Sequence, residues 1–531
     1  MNDTFRVLAL DGISPKGLEI FAANPNIHVI VKPPLKEQEL IELIADVDAV
    51  IARSGTKITA NAIAAAPKLK IIGRAGVGVD SVDVEAATGR GIVVMNTPGG
   101  NTTSTAEHAF SLLLSLARQI PQAHASMRAG EWDRKSFQGV EISNKVLGII
   151  GMGRIGGEVA RRAIAFGMRV IAYDPYLTLS RAKSLQVELV DQLDPLLEQS
   201  DFITLHMPLT DETKGILNER TLSLCKKGVR IINAARGGLV EEAALLAAIK
   251  SGHVAGAALD VYEQEPPPAD HPMRPLSNVV LTPHLGASTT EAQESVGIEI
   301  CQAVRDFLVD RVVRNAVNMP SVDTYTLGII RPYLALGEKL GRMLSQLAPQ
   351  RLDTLVVKYS GPVNEVDTTP VTRSILKGLL LKSRGSEVNE VNAPHYARTQ
   401  GLTFSETKIS EPANFRELVS IEVASGDEKH EISGTFFGPD ARIVRIDGYS
   451  LEATPEGILM LMENEDKPGM IGWIGTLLGK HHVNIANMSL SRNEIGQRAL
   501  SVYNLDSAPD DNVLAEIAKE PGISSVKIIR L

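Results

Sequence analysis

The sequence predicts a multidomain α/β chain built mainly on parallel sheets, and three observations predict it. Short apolar runs alternate with helix-patterned stretches over residues 1–98 and again over 99–287. That alternation means a parallel sheet covered on both faces, because parallel strands are joined by crossover helices. A G-x-G-x-x-G turn directly follows the strand pattern VLGIIG of the second block. The end of the chain, from about residue 457, reads strand–helix–strand–strand–helix–strand, the order of a split βαβ unit. A length of 531 residues holds about three to four domains at roughly 150 residues each.

Taken in order, RVLAL, HVIV, AVIAR, KIIGRAG and GIVVMN read as strands, with helices over EQELIELIADV and ITANAIAAAP. In the second block the strands are VLGIIG, RVIAYD, FITLH, VRIINAA and GAALDV. Ser288-Thr-Thr-Glu291 is a capping box, which predicts a long helix beginning there. Along it Val296, Ile300, Val304 and Leu308 repeat every four residues on one face. The pattern changes after Asn318-Met-Pro320. Residues 321–350 read as helix, and 351–455 mix helices with the strands TLVVKYSG, LVSIEVAS and ARIVRIDG. The final unit runs ILMLMEN, a helix from Pro468, VNIANMSL, RALSVYNL, a helix from Asp511, and SSVKIIRL.

Composition narrows the function. A net charge of −9 argues against general nucleic-acid binding, so any anionic ligand must meet a local cluster of Arg and Lys. Two cysteines, Cys225 and Cys301, are too few for a disulfide framework and fit a reducing cytosol. No run approaches the ~18 uncharged apolar residues of a membrane span. The start, MNDTFRVLALDG, lacks the basic and apolar regions of a signal peptide. The expectation is a soluble cytoplasmic enzyme with no metal, nucleic-acid or membrane partner.

Gly151, Gly153 and Gly156 directly follow a strand at the start of a helix, with Arg154 and Ile155 between the last two. The first glycine allows the tight turn, the second lets the backbone approach a pyrophosphate, and the third lets helix pack on strand. Free N–H groups at the helix start then meet the pyrophosphate. Asp174 ends the next strand, 18 residues past Gly156. A carboxylate there accepts from both ribose hydroxyls and repels a 2′-phosphate, so NAD is favoured over NADP. Pro175 and Tyr176 follow on the adenine side.

Downstream lie NAARGG (233–238), LDVYEQEP (259–266) and PHLG (283–286). These motifs resemble the Arg, Glu and His motifs of the D-isomer-specific 2-hydroxyacid dehydrogenases. With GRAGVGVDSVD (73–83) and NTTSTAEHAF (101–110) they are similar to the long-form, phosphoglycerate-oxidising members. The resemblance covers nearly the whole chain. It implies oxidation of 3-phospho-D-glycerate to 3-phosphohydroxypyruvate with NAD, the first step of L-serine synthesis, with 2-oxoglutarate reduction as a side activity. It makes His284 the base, Glu265 the acid that orients the imidazole, and Arg236 the anchor of the substrate carboxylate. Histidine suits proton transfer near neutral pH, a carboxylate fixes its tautomer, and the guanidinium fork suits a carboxylate. The resemblance further places His206, Met207, Pro208, Ala234, Ala235, Arg236, Asp260, His284, Leu285, Gly286 and Ala287 on cofactor-contact segments. Arg53, Ser54 and Gly55, with Arg74 and Gly76, fall on substrate-binding segments, and the two arginines would hold the phosphate. Trp132-Asp-Arg-Lys135 falls on a subunit interface.

The tail, residues 457–492, resembles an ACT regulatory module, with Asp-x-Pro-Gly opening its first helix and Val-Asn-Ile-Ala in the next strand. The implied effector is L-serine, at Asn464, Asp466, Asn484 and Ile485, and the implied assembly is a dimer or tetramer of identical chains. Asp466 has no amide donor and cannot reproduce every contact of an asparagine. The expected fold is therefore a doubly wound Rossmann cofactor domain (99–287) inserted in a flavodoxin-like substrate domain (1–98 and 288–318). An α+β intervening domain (319–455) and a ferredoxin-like ACT domain (456–531) follow. Two alternatives remain open: a glyoxylate or hydroxypyruvate reductase using the same Arg–Glu–His set, and a non-catalytic NAD-sensing corepressor.

Overall fold

A computed structural model describes residues 4–349, 351–410, 415–492 and 497–531. Strands Ile27–Val31, Phe5–Ala9, Ala49–Ala52, Ile71–Arg74 and Val93–Met95 form the first sheet, in that spatial order. All are parallel. Numbered along the chain the order is 2-1-3-4-5, the flavodoxin-like arrangement. Both faces carry a core: Phe5, Val7 and Ile71 on one side, Leu8, Val50 and Ile72 on the other. The alternation of neighbours between the two cores is the period of two that a strand imposes.

The second sheet has seven parallel strands, in the order Val279–Leu281, Val254–Leu259, Val229–Asn233, Phe202–Leu205, Val146–Ile150, Arg169–Tyr173 and Glu188–Leu189. The direction of winding reverses between Val146–Ile150 and Phe202–Leu205. Such a switch point leaves a crevice at the carboxyl ends of the strands. Helix Thr102–Arg118 joins the two units and buries Ala109, Leu112, Leu113 and Leu116 in the second core.

After the second sheet the chain returns to the first. Helix Thr290–Asp310 buries Val296, Ile300, Val304 and Leu308 against the first sheet's core, each side chain worth about 1.5–3 kcal/mol when fully buried. It crosses helix Pro15–Ala22 so closely that a Cβ on Gly17 would lie 2.6 Å from the Gly297 carbonyl oxygen. The helix cap differs from the expectation. Thr289, not Ser288, stands at the N-cap, its side chain accepting from the Ala292 N–H at 3.1 Å. One residue of shift arises because Ser288 still closes a turn onto the Leu285 carbonyl.

Helix Thr324–Leu347 and helix Thr369–Arg384 lie on a six-stranded sheet, mostly antiparallel, running from Thr354 to Ala453. The last sheet orders its strands Ile485–Arg492, Arg498–Leu505, Ile458–Glu465 and Ile523–Arg530, all antiparallel. That is the ferredoxin-like arrangement. Its two faces diverge: Met460, Met462 and Tyr503 pack under the unit's own helices. Leu459, Leu461, Leu500, Val502 and Ile529 instead join the core of the preceding unit, against Leu336, Leu340 and Met343.

Candidate active site

Three neighbouring strands of the second sheet deliver the motif residues at their carboxyl ends. Strand Val229–Asn233 leads into Arg236, Val254–Leu259 into Asp260 and Glu265, and Val279–Leu281 into His284. His284 Nδ1 lies 2.7 Å from Glu265 Oε2. Glu265 Oε1 accepts from the Tyr262 N–H at 3.1 Å, and Tyr262 Oη donates to the Thr282 carbonyl at 2.9 Å. Both carboxylate oxygens are therefore fixed. His284 itself sits at φ +55°, a left-handed conformation that a non-glycine residue holds only when its surroundings enforce it.

The hydrogen bond that His284 donates to Glu265 raises the His284 pKa above the ordinary histidine range; burial opposes this, the Glu265 and Asp260 charges add to it, and Arg236 opposes it. For Glu265 burial pushes upward, but the bond and charge of His284 prevail and hold it below the usual carboxylate range. The pair thus favours proton capture on the imidazole while the carboxylate stays ionised.

Arg236 faces the same cleft. Its Nη1 donates to the Ala235 carbonyl at 2.7 Å, and its Nε stands 3.2 Å from Asp80 Oδ2 of the first unit. Asn233 shapes this turn, accepting from the Ala235 N–H and donating to the Arg236 carbonyl. Arg74, at the end of strand Ile71–Arg74, donates from Nη1 to the Ala75 carbonyl. Burial, then the neighbouring Arg236 and Arg53 charges, bring its pKa down to about 10, with Asp80 and Asp11 opposing. Arg53, Arg74 and Arg236 therefore share one electrostatic neighbourhood, the local positive field that the net charge of the chain does not provide. Ser54 and Gly55 are exposed beside Arg53, whose N–H donates to Asp11. Gly76 N–H is held by Thr97 Oγ1 at 2.8 Å.

The glycine turn has the shape a dinucleotide requires. Gly151 has φ +94°, and a Cβ there would lie 2.5 Å from the His206 carbonyl oxygen. A Cβ on Gly156 would collide with the Gly151 carbonyl, while nothing lies within 4 Å of the Cβ position of Gly153. The open side of Gly153 meets a cavity of about 460 Å³ lined by Met152, Arg154, Gly157, Arg161 and Arg181. Asp174 braces the turn, accepting from the Met152 N–H at 2.7 Å and the Tyr176 N–H at 2.8 Å. These residues fit NAD. Pro175 and Tyr176 are both exposed, Tyr176 at 93%. Burial takes His206 down to about 4, so it is a neutral imidazole, its Nε2 3.0 Å from Thr204 Oγ1.

Several expected residues have partners within the chain. Asp260 has 0% exposure, and its oxygens accept from Leu285 N–H, Gly286 N–H and Thr282 Oγ1. It organises the His284 loop and presents nothing to the cleft. Asn464, 2% exposed, is hydrogen-bonded to Ser501 and the Glu465 carbonyl within its own sheet. Asp466 is ion-paired with Arg492, and Asn484 donates to Asp506. Ile485 begins the strand after Asn484. Trp132 is 77% exposed. Asp80 and His108 complete the site but carry no role in the sequence reading.

Comparison with known proteins gives three family matches. Residues 110–286 match the D-isomer specific 2-hydroxyacid dehydrogenase NAD binding domain, 329–447 the D-3-phosphoglycerate dehydrogenase intervening domain, and 458–522 the ACT domain. A D-3-phosphoglycerate dehydrogenase of Archaeoglobus fulgidus is 44% identical over 528 residues, 99% of this chain and 100% of the relative. One of Bacillus subtilis is 41% identical over 534 residues, again 99% and 100%. Among solved structures, D-lactate dehydrogenase from Aquifex aeolicus, complexed with NAD and lactic acid, is 28% identical with TM-score 0.52. It covers 59% of this chain and 100% of that one. A glyoxylate reductase from a Paecilomyces fungus is 32% identical with TM-score 0.55, covering 60% and 99%.

Proposed function

The chain belongs to the D-3-phosphoglycerate dehydrogenase family of NAD-binding D-isomer-specific 2-hydroxyacid dehydrogenases, and we propose that it oxidises 3-phospho-D-glycerate to 3-phosphohydroxypyruvate, the first step of L-serine synthesis. The observation that carries this reading is the His284–Glu265 pair at 2.7 Å, set in the electrostatic reach of Arg236.

Nδ1–H of His284 donates to Glu265, because an ionised carboxylate only accepts. Nε2 is then the free lone pair, and it takes the proton of the C2 hydroxyl as the C2–O bond becomes a carbonyl. Bound NAD supplies the acceptor for the hydride that leaves C2. The resulting imidazolium is stabilised by Glu265, as in other carboxylate-oriented histidines. Arg236 grips the substrate carboxylate with its planar fork, and losing such an anchor costs on the order of 10²–10³ in rate. Arg74 and Arg53 hold the phosphate. At the cofactor end the helix start at Arg154 faces the pyrophosphate and Asp174 the adenosine ribose. Ala234, Ala235, His206, Met207, Pro208, Gly286 and Ala287 flank the nicotinamide end.

The ACT unit is the regulatory part, with L-serine as its effector. The chain works as a homo-oligomer, contacting its copy through the segment around exposed Trp132, and two free, buried cysteines suit the cytosol. The test is NADH formation, followed by ultraviolet absorbance, from 3-phosphoglycerate and NAD with and without L-serine. Activity suppressed by serine supports substrate, cofactor and effector together. Absence of activity alongside brisk reduction of hydroxypyruvate overturns the substrate assignment.

A further inference from the structure

Helix Thr102–Arg118, which joins the two units, presents three polar side chains to the loop carrying His284. Ser104 Oγ and Thr105 Oγ1 donate to the Gly286 carbonyl at 2.8 and 3.1 Å. One turn on, His108 Nε2 stands 3.1 Å from Asp260 Oδ1 and 3.2 Å from Thr282 Oγ1. Spacings of three and four place these residues on one helix face. The Thr282 hydroxyl proton is already spent on Asp260 at 2.6 Å, and a carboxylate only accepts, so Nε2 carries the hydrogen.

Asp260 passes this contact on. Its carboxylate accepts the Leu285 and Gly286 N–H groups at 2.7 and 2.9 Å, and its carbonyl accepts the His284 N–H at 2.9 Å. These bonds enforce the left-handed backbone of His284. Asp260 is fully buried, and a buried charge is costly unless each lone pair it offers is met. Burial raises its proton affinity, yet the bonds from His108, Thr282 and Leu285 hold it below the usual carboxylate range.

We propose that His108 is a positioning residue: by donating to Asp260 it keeps that carboxylate clamped on the Leu285 and Gly286 amides, and so aims the His284 imidazole at the substrate. His108 touches no reacting atom. The proposal rests on the reading of His284 as the base. Because its helix also begins beside the first unit, His108 ties the aim of the base to the seating of the two units.

Two variants of similar polarity test it. The amide of His108→Gln reaches about where Nε2 stands, whereas that of His108→Asn falls short. Steady-state kinetics with 3-phosphoglycerate and NAD, and NADH binding by fluorescence, are measured on the full chain. His108→Asn is expected to lose about 10- to 100-fold in kcat, the range in which a misplacement near 1 Å falls. His108→Gln should stay within about threefold, and both should keep KM and the Kd of NADH within about twofold. Unchanged kcat in the Asn variant, or an equal fall in both, overturns the proposal. If the Asn variant does not bind NADH, a fall of about tenfold in an NADH-binding Gln variant overturns it on its own. His284→Ala, made alongside, separates the two readings: normal turnover there overturns the assignment of the base, whereas its loss with normal His108→Asn turnover overturns only the role of His108.

Discussion

Asp80 of the first unit and Arg236 of the second are ion-paired across the cleft, Oδ2 to Nε at 3.2 Å. The carboxylate occupies one edge of the guanidinium proposed to grip the substrate carboxylate, and Asp80 is largely exposed. On that proposal the substrate displaces Asp80 from this edge.

Replacing Asp80→Asn should therefore tighten substrate. An ion pair so exposed is worth about 0.2–1 kcal/mol, which corresponds to a KM for 3-phosphoglycerate lower by up to about fivefold. Steady-state kinetics at low salt measure it, and the gain should shrink as ionic strength rises. A higher KM would mean that Asp80 orients Arg236 more than it competes for it.

Glu265→Gln should move the pH profile. With His284 as the proposed base, oxidation needs its neutral form, so kcat/KM should rise with pH through the His284 pKa. That pKa is raised chiefly by Glu265, so the limb should shift to lower pH in the variant, with kcat lower by about 10²-fold or more as the imidazole loses its orienting partner. Reduction needs the imidazolium and should show the mirror-image limb. An unshifted limb would detach Glu265 from the titrating group.

The same pair gives a stability signature. His284 binds its proton more tightly folded than unfolded, a contribution complete below the ordinary histidine range and lost as pH rises through the raised value. Glu265 is lowered, a contribution present above the ordinary carboxylate range and lost as pH falls through the depressed value. Thermal unfolding of the parent and of Glu265→Gln should differ most between those two ranges and converge outside them.

Arg236→Lys keeps the charge and loses the fork. A fall in kcat/KM of about 10²-fold or more is expected, because lysine is a point charge that cannot meet a carboxylate bidentately. Near-parental kinetics would place the substrate carboxylate elsewhere.

Asp174→Ala should narrow the preference for NAD. The kcat/KM ratio of NAD to NADP is the measurement, and the variant should also lose thermal stability by about 1 kcal/mol or more, since Asp174 braces two backbone N–H groups of the turn. An unchanged ratio would mean that the ribose is read by other groups.

Sequence patterns reveal residues whose partners are local. Gly151 and Gly153 stand between a strand and a helix and Gly156 in the first turn of that helix, so their role shows in a short window. Arg236, Glu265 and His284 show through motifs that resemble those of the dehydrogenase family, each lying beyond the end of a strand. Asp80 and His108 lie inside stretches the sequence marks, yet their partners Arg236 and Asp260 are remote along the chain, and nothing local distinguishes them from solvated residues. The burial of Asn464 is also not legible locally: its partner Ser501 lies on the adjacent strand, remote along the chain. Strand Thr403–Ile409 escapes because it lies at a sheet edge with little burial, so its sequence carries no clean alternation.

The terminal ferredoxin-like unit is not a cassette. Its sheet lends Leu459, Leu461, Leu500, Val502 and Ile529 to the oil of the preceding unit, and Gln346 and Arg530 close the seam with paired bonds at 3.0 and 3.1 Å. Evolution could not trim this end without leaving a wet, greasy wound on the unit before it. A gene ending near codon 455 would encode a chain prone to aggregate, and swapping in a foreign sensor would demand that the donor bring a matching underside. The last unit and its neighbour share one apolar core, so a change in the packing of either is felt by the other.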